Sequence, residues 1–156
     1  MNGTGARAIR LLLVDCQPAV RKGLRMRLAL EPDVEVVGEA CDASEAIPLA
    51  RDLRPDVILM DVELPGVGGV PVIEALRGAT PHSAVVIFTL RDDAATRSQS
   101  EAAGASAFVA KHRTEETLLA AIRGAAPPRG EQRRGEGDSR RSEEEHRHDM
   151  RDRGGS

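Results

Sequence analysis

The 156-residue sequence has few cysteines, lysines and aromatic residues. It contains no tryptophan or tyrosine, two phenylalanines, two cysteines, and two lysines against twenty arginines. Two cysteines without a CxxC pair exclude a disulfide scaffold, so Cys16 and Cys41 are predicted to be thiols. With so few of each type, Lys111 and Phe108 must be considered individually.

The sequence also lacks long apolar runs and a strong excess of charge. Its longest apolar runs, such as Ile9–Val14, are too short to span a bilayer, and the N-terminus has no continuous apolar signal segment. We therefore expect a cytoplasmic protein. The net charge of −3 gives no electrostatic case for binding DNA or an anionic membrane.

Five short apolar runs alternate with five helical patterns. The runs predict buried strands at Ile9–Val14, Val34–Val37, Val57–Asp61, Ala84–Thr89 and Ala107–Ala110. Helices are predicted at Pro18–Leu30, Ser44–Leu53, Val70–Arg77, Asp92–Ala103 and Thr114–Ala125. This alternation predicts an α/β, doubly wound, five-stranded parallel sheet with helices on both faces. Pro48 falls inside the second helical pattern, so that helix is expected to start late or kink.

The composition changes after residue 125. From Pro127 onward Met150 is the only large apolar residue, and eight arginines are balanced by eight acidic residues. Such a segment cannot bury enough surface to offset its ordering entropy. We expect a folded domain over residues 8–125 and a disordered charged tail over residues 126–156, in which His146 and His148 are a weak metal signal.

Chemically active residues stand at the ends of the predicted strands. Asp15 follows the first strand, Asp61 ends the third, Thr89 ends the fourth and Lys111 follows the fifth. The carboxyl ends of parallel strands meet at one edge of the sheet, so these side chains are expected to converge. Acids can hold Mg²⁺ while a hydroxyl and an ammonium bind phosphoryl oxygens. The pattern predicts a phosphoryl-transfer site with a carboxylate nucleophile.

These motifs resemble the receiver domains of bacterial two-component response regulators, over residues 8–125. The matching segments are Leu12–Asp15, Asp56–Asp61, Leu64–Gly66 with Gly69, Phe88–Thr89 and Gly104–Lys111. Pro18–Leu24 and Val36–Ala40 look most like the subfamily with a C-terminal LuxR-type helix-turn-helix. No helical pair that could form this unit follows residue 125.

The resemblance implies that Asp61 accepts a phosphoryl group from the phosphohistidine of a sensor histidine kinase, with Mg²⁺ as cofactor. Thr89 and Lys111 would bind the phosphoryl oxygens. Phe108 occupies the position of the switch aromatic, which rotates inward as the threonine moves toward the phosphoryl group. The fourth helix, fifth strand and fifth helix would present the surface for an unknown downstream protein. The domain would be no enzyme beyond assisting its own phosphorylation and dephosphorylation.

Cys16 departs from the family pattern, which usually places a second Mg²⁺-binding acid there. A thiolate is a poor Mg²⁺ ligand, so the expected ligands are Asp15, Asp61 and the backbone carbonyl of Glu63, with weakened affinity. Leu90 is larger than the usual residue after the threonine, which predicts slower phosphoryl loss. Cys16 could instead be a redox sensor, with Cys41 at the end of the neighbouring strand.

Two other functions stay open on the sequence alone. A degenerate receiver could act as a phosphorylation-independent interaction module, and the chain could be a truncated form of a DNA-binding regulator. The chain alone is expected not to bind DNA or membranes, and a homodimer through a helical face is compatible with the pattern. Other enzymes on this fold fit poorly, because Asp15 lacks a second acid at Gln17 and no glycine-rich turn follows the first strand.

Overall fold

A computed structural model describes residues 7–66 and 68–128. Its strands are β1 (Ile9–Val14), β2 (Val34–Ala40), β3 (Val57–Met60), β4 (Ala84–Thr89) and β5 (Ala107–Ala110). Its helices are α1 (Pro18–Leu28), α2 (Ala43–Leu53), α3 (Val70–Ala79), α4 (Ala94–Ala102) and α5 (Glu115–Ala125). All strand pairs are parallel, in the order β2-β1-β3-β4-β5. The predicted α/β fold is confirmed. The predicted tail lies outside the described residues from position 129 onward.

The sheet separates two apolar clusters, one on each face. The first joins side chains of β1, β3 and β4 to α2 and α3, and it includes Ile58, Ile73 and Phe108. The second joins the opposite face to α1 and α5 and includes Leu28, Leu59 and Ile122. Successive strand residues point to opposite faces, so the nearly continuous apolar runs of β1, β3 and β4 supply both clusters.

The strand order reverses direction at β1. The chain runs from β1 to the edge strand β2 and returns to β3 on the other side of β1. In a doubly wound sheet this reversal opens a crevice beyond the carboxyl ends of the two central strands. Asp15 directly follows β1 and Asp61 directly follows β3, so both carboxylates lie at this crevice.

The prediction for α2 was wrong about its start. The helix begins at Ala43, one residue earlier than predicted, and it continues through Pro48 to Leu53. The Asp42 carboxylate caps it by accepting a hydrogen bond from the Glu45 amide at 3.0 Å, while the Glu45 carboxylate accepts one from the Cys41 amide at 2.7 Å. These caps support the first turn although Pro48 removes one later backbone hydrogen bond.

Other predicted ends of strands and helices differ from the structure by a few residues. β2 extends to Ala40, because Gly38, Glu39 and Ala40 pair with β1 after a register shift between Leu11 and Leu12. α4 begins at Ala94, since Asp93 is its capping residue.

Both cysteines are free thiols, as predicted. Within the described residues, no helix is long and apolar enough to cross a membrane.

Candidate functional site

Asp61 stands at the centre of the crevice. Its amide donates to the Val14 carbonyl at 3.0 Å, which fixes it beside β1, and the residue is only 6% exposed. Oδ1 accepts hydrogen bonds from the Thr89 hydroxyl at 2.7 Å and the Glu63 amide at 2.9 Å. Oδ2 accepts one from Lys111 Nζ at 2.7 Å. The carboxylate is therefore held in one orientation at the rim of the sheet.

Lys111 joins the two predicted acids. Its Nζ donates to Asp15 Oδ2 at 2.8 Å as well as to Asp61, and the three side chains are at most 10% exposed. Its amide donates to the Thr89 carbonyl at 2.7 Å, which continues the pairing of β5 with β4. Burial acts to lower the pKa of Lys111, but the hydrogen bonds to Asp15 and Asp61 outweigh it and leave the pKa raised. The ammonium is therefore charged at neutral pH.

Asp15 is positioned by the loop between β1 and α1. Its amide donates to the Ala40 carbonyl at 3.0 Å, and its Oδ1 accepts from the Gln17 amide at 2.9 Å. Arg21 of α1 donates to the Asp15 backbone carbonyl and pairs with Glu39 of β2 at 3.1 Å. Arg21 was not predicted from the sequence as a residue of this site. Nothing in its sequence position distinguishes it from the other arginines of α1.

The oxygen donors of the crevice fit Mg²⁺. Mg²⁺ usually binds through one or two carboxylates, water and phosphate oxygens, and Asp15 and Asp61 supply two carboxylates here. The Cys16 thiol lies 3.8 Å from the Glu63 carbonyl oxygen, so Cys16 stands at the edge of this donor set and adds sulfur instead of a carboxylate. Among the described residues, no three His, Cys, Asp or Glu side chains cluster closely enough to hold a metal. The crevice therefore offers few protein ligands for a metal ion.

The direction of the Cys16 side chain bears on the redox alternative. Its sulfur faces Glu63, which follows β3, while Cys41 follows β2 on the other side of β1. The Cys16 thiol therefore lies on the β3 side of β1, whereas Cys41 follows the strand on the other side. This arrangement gives no support to a Cys16–Cys41 disulfide.

Thr89 and Phe108 share one face of the sheet. Ile87 pairs with Phe108 across β4 and β5, and Thr89 lies two residues after Ile87, so its side chain points to the same side. Thr89 is fully buried, and Phe108 is 9% exposed within the first apolar cluster. The Arg97 guanidinium of α4 lies over the Phe108 ring, with Cζ 4.7 Å from the ring centroid.

Phe88 packs against the second apolar cluster. It is partly exposed on the opposite face, with Lys111 Nζ 5.9 Å from its ring centroid. It lines a cavity of about 480 Å³ between α1 and α5, together with Lys111 and Leu90. Leu90 is 65% exposed at this rim. That Leu90 slows phosphoryl loss stays a prediction.

Comparison with protein families places the chain in a class. The family model for the response regulator receiver domain matches residues 11–123. The match covers most of the chain, and the chain therefore belongs to the response regulator receiver family.

Particular relatives share this region. The chain is 40% identical over 123 residues to the uncharacterized transcriptional regulatory protein YxjL of Bacillus subtilis, covering 79% of this chain and 56% of the relative. It is 33% identical over 116 residues to the nitrate/nitrite response regulator NarL of Escherichia coli K12, covering 74% and 54%. The chain thus spans about half the length of the curated relatives it matches.

Solved structures agree with the family and the fold. A LuxR-family two-component response regulator from Aurantimonas superposes with a TM-score of 0.72 and 37% identity, over 75% of this chain and 84% of that one. The receiver domain of the putative regulator NarL of Mycobacterium tuberculosis gives a TM-score of 0.69 and 31% identity, over 76% and 98%.

Proposed function

We propose that this chain is a phosphorylation-switched receiver whose phosphoacceptor is Asp61 and whose phosphoryl donor is a phosphohistidine of a sensor histidine kinase. The receiver domain is proposed to span residues 8–125. The observation that carries the proposal is the buried triad in which Lys111 Nζ bridges Asp15 and Asp61 while Thr89 donates to the other oxygen of Asp61. A strand-end carboxylate with a hydroxyl and an ammonium aimed at it is suited to phosphoryl transfer.

The transfer forms a bond between an Asp61 carboxylate oxygen and phosphorus. The bond between phosphorus and the imidazole nitrogen of the donor breaks, and the nitrogen keeps the electron pair. Lys111, charged at neutral pH, would bind a transferred oxygen while keeping Asp15 as its second partner. Thr89 would turn its hydroxyl from Asp61 Oδ1 to the phosphoryl group. Mg²⁺, held by Asp15, Asp61 and the Glu63 carbonyl, would supply charge neutralisation.

Cys16 should weaken this Mg²⁺ site. Asp15 and Asp61 with Lys111 leave a formal charge of −1 at the crevice, where an acid at position 16 would make it −2. A less negative site attracts a divalent cation less strongly. We therefore propose a receiver whose phosphorylation requires high Mg²⁺.

Thr89 and Phe108 would connect the phosphorylation site to the surface that binds a partner. Their shared face would couple phosphorylation of Asp61 to the position of the Phe108 ring, and hence to the surface of α4, β5 and α5. That surface would bind a downstream protein or a second copy of the chain. Because several relatives bear the names of transcriptional regulators, the output is proposed to be control of transcription, by a longer DNA-binding form or through a partner.

A phosphorylation-independent interaction module is the second candidate. The observation in its favour is Cys16, since the site loses a carboxylate while every oxygen of Asp61 already has a partner. On this alternative, partner binding is the same in the native chain and in Asp61→Asn.

Intact mass after incubation with acetyl phosphate tests the proposal. We expect the native chain to gain one phosphoryl group in high Mg²⁺ and Asp61→Asn to gain none. Labelling of Cys16→Asp but not of the native chain at any Mg²⁺ concentration would favour the second candidate. Labelling that persists in Asp61→Asn would contradict the assignment of the phosphoacceptor.

A further inference from the structure

Helix α4 has an unusual inner face for a helix on an α/β sheet. Its sequence, AATRSQSEA, contains no apolar residue larger than alanine, and Ser100 is its only buried residue. The Ser100 hydroxyl has no hydrogen-bond partner among the described residues. Burial of large side chains, which stabilises most surface helices, therefore contributes little to holding α4 on the sheet.

Polar contacts order the start of α4, and one of its side chains reaches the sheet. Asp93 caps it, with Oδ1 accepting from the Thr96 amide at 2.7 Å and Oδ2 accepting from the Thr96 hydroxyl at 2.8 Å. Arg97 donates to Asp92 Oδ1 at 2.9 Å and places its guanidinium over Phe108. A cation within about 6 Å of a ring centroid is attracted to the ring face. Arg97 is therefore the side chain that connects α4 to the aromatic ring of β5.

The Phe108 ring lies inward, within the first apolar cluster. It is buried, and the Thr89 hydroxyl contacts Asp61 Oδ1 at 2.7 Å. Under the proposed function, an inward ring with the threonine drawn toward Asp61 is the arrangement that phosphorylation favours. The Arg97 guanidinium lies over one face of that ring, and this attraction does not depend on a phosphoryl group.

We propose that Arg97 is a positioning residue that holds the Phe108 ring inward and so favours the switched arrangement without phosphorylation. This inference rests on the proposed role of Phe108 as the switch residue. Asp92 orients the guanidinium by accepting a hydrogen bond from it, and α4 contains no large apolar side chain that would fix this contact instead. A contact of this kind lowers the dependence of the switch on phosphorylation. It therefore suits a receiver whose Mg²⁺ site has few ligands.

The chain contains only two phenylalanines, so the Phe108 ring can be observed directly. Full-length chain labelled with ¹³C-phenylalanine has two sets of ring signals, one for each phenylalanine, and Phe108→Leu assigns them. Exposure of the Phe108 ring is read from its relaxation by a soluble paramagnetic agent, without acetyl phosphate. Arg97→Met keeps the aliphatic stem and removes the cation, whereas Arg97→Lys keeps a cation. Arg51→Met removes an exposed arginine from α2 and is the matched control.

We expect Arg97→Met to shift the ratio of buried to exposed ring by roughly two- to five-fold, as a partly exposed cation–π contact predicts. Arg97→Lys should retain most of the protection, and Arg51→Met all of it. Equal protection in Arg97→Met and the native chain would overturn the proposal. Equal exposure in the Met and Lys variants would also overturn it, because shape and not charge would then hold the ring.

Two further measurements separate this inference from its alternatives. Met and Lys are both strong helix formers, so amide hydrogen exchange of α4 should stay unchanged; lost protection across α4 in Arg97→Met alone would mean that Arg97 holds the helix, against the proposal. The ring measurement needs no phosphorylation and should give the same result in Asp61→Asn. A chain that fails to label with acetyl phosphate can therefore still confirm Arg97, and a labelled chain can still refute it.

Discussion

At the scale of single residues, Cys16 is the position proposed to set how strongly the crevice attracts a cation. Asp15, Asp61 and Lys111 are held together by hydrogen bonds of 2.7–2.8 Å, and the lysine neutralises one of the two carboxylates. Cys16 lies beside the Glu63 carbonyl, where its thiol adds neither negative charge nor a hard oxygen. Restoring a carboxylate at this one position should therefore restore a conventional Mg²⁺ site.

Cys16→Asp should lower the Mg²⁺ concentration needed for half-maximal labelling by acetyl phosphate. We expect a change of about ten-fold or more, the scale on which supporting groups alter metal affinity. Cys16→Ser is the matched control, since it keeps the size of the side chain without adding charge, and it should behave like the native chain. An unchanged Mg²⁺ requirement in Cys16→Asp would contradict the account of this residue.

The raised pKa of Lys111 predicts the response of stability to alkali. A group whose pKa is higher in the folded state gives stability that is fully present below its ordinary pKa of 10.5 and is lost as pH rises through the folded pKa. Urea unfolding above pH 10.5 should therefore show a fall in stability of at most about 1.4 kcal/mol per pH unit from this residue. The chain has no tyrosine, so few other groups titrate in this range.

The two lysines provide the control for this measurement. Lys111→Met should lack the alkaline loss, and Lys22→Met, which removes the other lysine, should retain it. A loss of equal slope in Lys111→Met would show that the stability of the native chain in alkali does not depend on the bridge to Asp15 and Asp61.

The residues of the crevice could be predicted from the sequence because each ends a strand or directly follows one. Parallel strands bring their carboxyl ends to one edge of the sheet. Asp61, Thr89 and Lys111 therefore meet there, irrespective of how the helices pack. Arg21 and Arg97 could not be predicted in this way. Both are long side chains on helices, and their partners, Glu39 and Phe108, depend on how each helix packs across the sheet.

At the scale of elements, α2 shows that capping residues can outweigh a proline inside the helix. Pro48 predicted a late start or a kink, yet the helix begins at Ala43 because Asp42 and Glu45 satisfy amides of its first turn and the preceding loop. Ala46 and Ala50 are fully buried on either side of Pro48 in sequence, while Pro48 itself is exposed. Tertiary packing of the alanine face keeps the proline within the helix.

Pro48→Ala should therefore stabilise the protein. The substitution restores a backbone donor inside α2 and removes a steric clash, partly offset by the greater freedom of the unfolded chain, for a net gain of about 2 kcal/mol. Urea unfolding at neutral pH measures it. Pro18→Ala is the control, since Pro18 lies at the start of α1 where no donor is missing, and it should give no gain. A Pro48→Ala variant no more stable than the native chain would contradict this account.

Helices α1 and α5 are joined by a network of ion pairs. Arg123 of α5 pairs with Glu31 at 2.7 Å and with Asp33 at 2.7 Å, and Arg27 of α1 pairs with Glu31 and Glu115. These contacts lower the pKa of Glu31 through its hydrogen bonds to Arg27 and then Arg123. In contrast to α4, α5 also buries Leu118, Leu119 and Ile122. Of the two proposed output helices, α4 is therefore the one that buries fewer apolar side chains.

At the scale of the whole molecule, the charge distribution gives no electrostatic case for binding DNA. The final thirty residues are neutral, with eight arginines and eight acidic residues, so the remaining residues carry the charge of −3. Binding to DNA without sequence preference depends on uncompensated cations that displace counterions from phosphates. Here each arginine of the C-terminal segment is matched by an acid.

The full chain should therefore give no mobility shift with duplex DNA at physiological salt. The variant Glu143→Gln, Glu144→Gln, Glu145→Gln leaves eight arginines against five acids and changes the C-terminal segment from 0 to +3. This variant should produce a weak shift at low salt that disappears as salt rises, because binding by a few cations falls steeply with ionic strength. A salt-resistant shift of the native chain would instead mean that the receiver itself presents a DNA-binding surface. Transcriptional output would then not require a partner or a longer form of the protein.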